Sequence, residues 1–294
     1  MLSVVGVAHS QNTQPLWIKQ LPTDVQASIL WSADHEQGNL KEWAPDDSKF
    51  PGGGVLNSGD RAVVGSTSWK FAHSGRFSAS ATITGAVRAK NGKRAVRLMR
   101  WTDRPWDRNG SYFPKSAYYS TWMYFPHNYN SKKYPPWDPG DGGWWNIFQF
   151  KANDEKDVST SMYSLGAYFD DERERIVFGL NDHVGEFQLH EQSSPIGVPV
   201  GKWFHVEAFY KVSAKETGMI VVWQDGAEIF RLEDVQTALT TRNENAVWGV
   251  GNYTDHIAGG PVEGSSTIYF DDAVIATQRI SRPVPDATKA NNLK

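Results

Sequence analysis

The 294-residue chain carries a net charge of −3 with no basic stripe or tail, so its electrostatics give no argument for a nucleic-acid partner. It has no cysteine, which excludes disulfides, cysteine-ligated zinc and thiol catalysis. Its 13 Trp, 11 Tyr, 14 Phe and 26 Gly, without long Ala/Leu/Glu/Lys helical runs, favour many strands joined by turns. The length suits one large all-β domain or two small ones.

The N-terminal MLSVVGVAHSQ has a short apolar stretch, then small residues, and no basic n-region. It reads either as the remnant of a secretory signal, implying a secreted or periplasmic protein, or as an unstructured start. No apolar run approaches the length of a membrane span, so no membrane partner is expected. Residues 1–26 read as an arm, residues 27–282 as one folded domain, and residues 283–294 as a disordered polar tail. Order begins at Ile29-Leu30-Trp31, and the Lys-Phe-Pro-Gly-Gly-Gly run at Lys49–Gly54 reads as a turn or loop. Strand-like segments follow at Arg76–Ile83, Ala95–Trp101, Tyr119–Phe125, Trp145–Lys151, Ser164–Phe169, Arg175–Leu180, Glu186–His190, Trp203–Val212, Met219–Gln224, Glu228–Leu232, Val247–Tyr253 and Thr267–Ala276. Asp225-Gly226 between two apolar runs is the strongest hairpin signal. Asn181–Gly185 is a looser one, and Asn91-Gly92 separates Ala86–Lys90 from the next strand. Val235–Leu239 suits one short helical turn. Many strands with hairpins and no βαβ rhythm specify an antiparallel sandwich or jelly roll. The long segments 103–118 and 127–143, rich in Trp, Pro, Gly and Asp, have the character of functional loops.

The second long loop leads into Trp144–Lys151. Side chains alternate across a strand, so Phe148 and Phe150 face one way and Trp145, Gln149 and Lys151 the other. An aromatic plate, an amide and a cation on one face suit a polar, ring-shaped, acidic ligand such as a sugar chain bearing carboxylates; the plain alternative is a solvated face with one Trp. Trp101, Trp106, Trp137, Trp144 and Trp145 cluster around the two loops, and indole faces stack on sugar rings. His205 and Glu207 alternate with Phe204, Val206 and Ala208, so they face either a groove or the solvated outer side. The acidic Asp170–Glu174 run reads as a solvated turn. The E-x-D-x-x-E signature of a retaining jelly-roll glycosidase is absent, which leaves Glu207 as the one strand-borne Glu in a promising context.

Four segments carry a family resemblance: Ile29–Leu40 with its acidic-x-Glu-x-Gly pattern, the aromatic strand Tyr119–Pro126, the pair Gly201–Val206 and Gly218–Gly226, and the closing strand Ile268–Val274. Over residues 28–277 the chain resembles the polysaccharide-lyase branch of the concanavalin-A-like jelly rolls, which includes heparin lyase I-like, glucuronan lyase-like and alginate lyase-like enzymes. The resemblance implies an all-β jelly roll of two packed antiparallel sheets with a concave groove. It also implies a carbon–oxygen lyase that cleaves a uronic-acid polysaccharide by β-elimination, acting as a monomer on an acidic poly- or oligosaccharide. Gln149 matches the amide that binds the uronate carboxylate, and Lys151 stands where alginate lyase-like enzymes carry His. Gly249–Tyr253 resembles the K-A-G-x-Y segment, so Tyr253 matches the catalytic tyrosine while Gly249 replaces the lysine. Arg94–Leu98 copies R-S-E-L-R without its Glu, leaving Arg94, Arg97 and Arg100 as cations.

The elimination needs the carboxylate neutralised, a base for the adjacent carbon acid and an acid for the leaving oxygen. The expected catalytic set is Tyr253, Lys151, Gln149, Arg97 and His256, the last standing in for the lost His. Lys151 or an arginine is the cation that lowers the Tyr253 pKa, and Lys151 itself is a base if desolvated. Trp144, Trp145, Trp101, Asn252, Arg94, Arg100, His205 and Glu207 make up the substrate-binding set. No cofactor is needed for the chemistry; Glu36 and Asp271, on the first and last strands, are candidate ligands for a structural Ca²⁺ or ordinary turn-bonding carboxylates. Two other functions stay open on the same scaffold: a lectin-like binding protein, and a glycoside hydrolase using Glu207.

Overall fold

The computed structural model describes residues 17–43, 52–58, 64–84, 94–102, 112–130, 144–156, 158–241, 246–254 and 265–281. A short helix α1 (Thr23–Ser28) leads into β1 (Ile29–Ala33), β2 (Gly53–Ser58), β3 (Val64–Ser68), β4 (Ser78–Thr84) and β5 (Arg94–Trp101). The chain continues through β6 (Ser116–Tyr124), β7 (Trp144–Asn153), β8 (Ser159–Asp170), β9 (Arg175–Asp182) and β10 (Gln188–His190). It ends with β11 (Trp203–Lys211), β12 (Gly218–Gln224), β13 (Ala227–Val235), β14 (Val247–Thr254) and β15 (Ser265–Ala276). One sheet has the order β13-β12-β11-β6-β15-β4-β3, with β1 added beside β15. The other has the order β10-β9-β8-β7-β14-β5-β2. Every named pairing is antiparallel, giving the jelly roll expected from the strand rhythm.

Two expected features follow directly. Asp225 (φ 48°) and Gly226 (φ 84°) both occupy the left-handed region, as a two-residue hairpin turn between β12 and β13 requires. The core lies between the sheets, where Phe150 of β7 stacks on Tyr210 of β11 at 3.9 Å and Trp248 of β14 meets Tyr119 of β6 at 5.5 Å.

Three features depart from expectation. The glycine run before Val55 forms strand β2 instead of ending as a loop. A Cβ at Gly53 would lie 2.3 Å from the Met99 carbonyl oxygen, so glycine here permits a close strand approach. β3, sequence VGSTS, has too little apolar alternation to announce itself. Val235–Leu239 is not helical: β13 ends there, and Thr237 Oγ1 takes the Ser213 N–H at 2.7 Å. The Ala86–Lys90 segment, its Asn91-Gly92 turn, the loop tryptophans Trp106 and Trp137, and the C-terminal tail lie outside the described residues. Within the expected N-terminal arm, Trp17 and Ile18 pack with Val274, Ala276 and Ile280.

Register shifts on both sides of β7 mark where its faces reverse. The β7–β8 register shifts between Asn146 and Phe148, and the β14–β7 register shifts between Val250 and Tyr253. The bulge reverses the alternation of faces along β7, so Ile147 and Phe148 both point inward, whereas β14 alternates without a break from Trp248 to Thr254. β7 and β14 are both tied into the core at one serine. Asn252 Nδ2 donates to Ser266 Oγ (2.9 Å), Ser266 O (3.0 Å) and Ala81 O (3.0 Å), and Trp145 Nε1 donates to Ser266 Oγ at 3.0 Å. Asn252→Ala therefore leaves buried acceptors unmet and is expected to cost about 1–3 kcal/mol, read as a lower urea midpoint with an unchanged slope.

Candidate active site

The outer face of the second sheet forms a groove of about 730 Å³ that reaches from β2 to β10. Its floor follows from alternation. β5 contributes Ala95, Arg97 and Met99; β7 contributes Trp144 and Asn146 before the bulge, then Gln149 and Lys151 after it. β14 runs between them and is nearly bare: Gly249 pairs with both Met99 and Gln149, and Gly251 pairs with Arg97. A Cβ at Gly251 would lie 2.0 Å from the Val96 carbonyl oxygen, so no other residue fits. With no side chain at Gly249, Gln149 reaches across the strand, its Nε2 3.8 Å from Met99 Sδ. No Asp or Glu stands among the described residues lining this groove, whereas Arg97 and Lys151 both do.

Tyr253 enters the groove at the far end of β14. The Arg97 guanidinium lies 4.8 Å from its ring centroid, and Trp144 meets it edge-on at 5.1 Å. Arg97 is 9% exposed, and burial pulls its pKa down to about 9, with the Tyr253 oxygen acting in the opposite direction. A buried cation beside a phenol favours the phenolate. Lys151 is not that cation. It pairs with Val247, six residues from Tyr253 along β14, or roughly 20 Å by strand rise.

The sequence reading missed a third cluster, on β8 and β9. Ser164 pairs with Gln149 on one side and Asn181 on the other, and His183 follows two residues later. His183 Nε2 lies 3.0 Å from Ser164 Oγ. Burial lowers the His183 pKa from its ordinary value, with Asp182 opposing. Asn181-Asp182-His183 looked like the start of a turn. Carrying the alternation Gly179, Asn181 two residues further would have put His183 on the groove face.

A family model described as polysaccharide lyase matches residues 36–274. The chain belongs to the polysaccharide lyase family. Its structure is similar to an endo-β-1,4-glucuronan lyase from the fungus Trichoderma reesei, at 15% identity and TM-score 0.57, over 85% of this chain and 96% of that one. It is also similar to a marine alginate lyase from Aplysia kurodai, at 15% identity and TM-score 0.49, over 85% of this chain and 100% of that one. No curated protein sequence matches the chain.

Several residues expected in the site of this polysaccharide lyase lie elsewhere. Trp145 is fully buried between the sheets, because the bulge at Asn146–Phe148 puts Trp144 and not Trp145 on Gln149's face. Asn252 is likewise wholly buried, bonded to Ser266. Arg100 faces inward, its guanidinium 4.9 Å from the Trp31 ring and Nη1 donating to Glu42 O at 3.3 Å. Burial pulls its pKa down to about 10. Trp101 ends β5 on Arg97's side, its ring over Gly54 at the sheet edge. Arg94 begins β5, and His256 lies outside the described residues.

His205 and Glu207 sit on β11 of the opposite sheet, behind the groove. His205 is buried, which drives its pKa down to about 4. Glu207 ties down the C-terminal segment: its carboxylate accepts from Ile280 N (2.6 Å), Ser281 N and Ser281 Oγ, and pairs with Arg279 Nε at 3.3 Å. The carboxylates considered for Ca²⁺ are similarly committed. Glu36 Oε1 accepts from Arg76 N (2.7 Å) and Phe77 N (2.8 Å). Asp271 accepts from His73 N (2.8 Å) and Asp272 N (2.9 Å), with His35 Nδ1 at 3.3 Å. Among the described residues no group of three His, Asp or Glu stands together to hold a metal, and no step runs through one. Glu207→Gln is expected to lower stability by about 1–3 kcal/mol while leaving turnover within about twofold, measured by urea unfolding and initial rates in parallel.

Proposed function

We propose that this groove binds uronic-acid-containing polysaccharides and cleaves them by β-elimination. The observation that carries the reading is the groove's composition: a buried amide, a buried guanidinium and an ammonium on its floor and, among its described residues, no carboxylate. A glycosidase of either stereochemistry needs two carboxylates across the scissile bond. A uronate needs the opposite, cations and donors for its own carboxylate. The similarity in fold to a lyase named for glucuronan supports the same substrate class.

In this reading Gln149 Nε2–H and the Arg97 guanidinium hold the carboxylate. They spread the charge that develops when the adjacent carbon loses its proton, a stabilisation strengthened by burial. Tyr253, on the far side of Arg97, donates its phenolic proton to the departing O4. The neighbouring guanidinium stabilises the phenolate left behind, so the same residue that helps neutralise the substrate also makes the phenol a better acid. Trp144, edge-on to Tyr253, offers an indole to an adjoining sugar.

The test is ultraviolet absorbance of the unsaturated product on polyglucuronate, alginate and related polymers. Tyr253→Phe is expected to lower kcat by about 10²–10⁴-fold. Gln149→Ala is expected to lower kcat/KM by a similar factor, and added salt to raise KM, because the floor attracts an anion. Retention on immobilised polyuronate with no absorbance from any polymer would replace the lyase by a binding protein.

A further inference from the structure

A directed chain of hydrogen bonds runs along the groove floor on β8 and β9. Tyr168 Oη donates to Asn181 Oδ1 at 2.6 Å. Asn181 Nδ2 donates to Ser164 Oγ at 3.3 Å, and Ser164 Oγ stands 3.0 Å from His183 Nε2. Chemistry fixes the first two links. An amide NH₂ only donates, so the serine oxygen is the acceptor there, and its own proton stays available for the imidazole. With the His183 proton on Nδ1, Nε2 is the acceptor for that hydroxyl. The chain has a built bed: the Tyr168 ring lies over Gly166 and Gly179, where an added Cβ would come within 2.6 and 2.9 Å of ring atoms. Ser164 is the Cα partner of Gln149, which places the polarised hydroxyl about 5 Å in backbone terms from the amide assigned to the carboxylate.

Resting on the lyase reading, we infer that Ser164 and His183 are the proton-accepting pair of the groove. The C5 proton of a uronate held by Gln149 passes to Ser164 Oγ while the Ser164 hydroxyl proton passes to His183 Nε2. The C5–H electron pair becomes the C4=C5 double bond, the C4–O4 bond breaks, and O4 takes the proton of Tyr253. The enzyme is left with an imidazolium and a phenolate, both reset by proton exchange with water. Asn181 and Tyr168 are positioning residues that hold the serine hydroxyl turned towards the imidazole.

The pair works only with His183 neutral. Burial favours that form, and Asp182, itself 3.8 Å from His190 Nε2, works against it. Lys151 and Tyr168 line the same groove, and the Phe187 ring covers the imidazole at 5.5 Å. Activity should accordingly be full near neutral pH and fall as pH drops through a value below the ordinary histidine range. A lysine base would put its limb on the alkaline side.

The experiment measures kcat/KM against pH on a cleaved polyuronate for wild type, His183→Ala, Ser164→Ala and Asn181→Ala. It adds long-range ¹⁵N–¹H spectra of the histidines in the free protein. Loss of at least about 100-fold in kcat is expected for His183→Ala and Ser164→Ala, with retention on immobilised polyuronate unchanged. Asn181→Ala is expected to keep partial activity with a shifted acid limb, which a merely structural role would not move. The spectra should show His183 protonated at Nδ1. Full activity in His183→Ala, full activity in Ser164→Ala, or a proton on Nε2 would each overturn the assignment. A wild type that yields no unsaturated product defeats the lyase reading instead, and the tautomer spectrum still decides the hydrogen-bond chain.

Discussion

The fold's use as a site depends on a buried knot around Ser266. β7 and β14 must each present a continuous apolar row to the core and a polar row to the groove, yet strict alternation along Trp144–Lys151 would not do both. The bulge at Asn146–Phe148 resolves the conflict on β7. It is held because Trp145 and Asn252, from the two adjacent strands, donate to the same residue of the other sheet. An inward-pointing amide among apolar neighbours is costly unless bonded, so the knot admits one register and excludes the slipped ones. With the register fixed, Asn146, Gln149 and Lys151 share one face, and Tyr253 faces Arg97 across it.

Charge is divided between the two sides of the sandwich. The described groove residues include two cations and no acid. The buried acids Glu207, Asp271 and Asp272 all belong to the other sheet. There they accept backbone N–H and side-chain hydroxyl groups and hold loops and the C-terminal segment in place. Asp272 shows the consequence of crowding them: burial, with Asp271 adjacent, lifts its carboxyl pKa to about 9, and His73 Nδ1 sits 2.6 Å away. Keeping those acids away from the groove leaves its floor positive. That is the electrostatic condition for drawing a polyanion out of water.

The sandwich was legible because its signals are local. Asp225-Gly226 dictated a hairpin, and the apolar alternation of Trp203–Val212 and Thr267–Ala276 dictated core strands. The site was partly legible: Gln149, Lys151, Arg97, Trp144 and Tyr253 do share one groove. The errors have physical causes. Trp145 was assigned to the wrong face because a bulge is a pairing property invisible along one strand. His205 and Glu207 alternate correctly with core residues, yet alternation cannot say which of two sheets a strand joins. Arg100 sits opposite Arg97 in the same alternation and so was lost to the core, stacked on Trp31. His183 was hidden by Asn-Asp-His-Val-Gly, whose turn character ended the strand too early in the sequence reading.

The central claim is that a bond is broken by elimination and not by water. Digestion of a uronate polymer in ¹⁸O-labelled water separates the two outcomes by mass. The account predicts oligosaccharides with unsaturated non-reducing ends and no ¹⁸O incorporated during bond cleavage. Saturated products with one ¹⁸O at each new reducing end would contradict it.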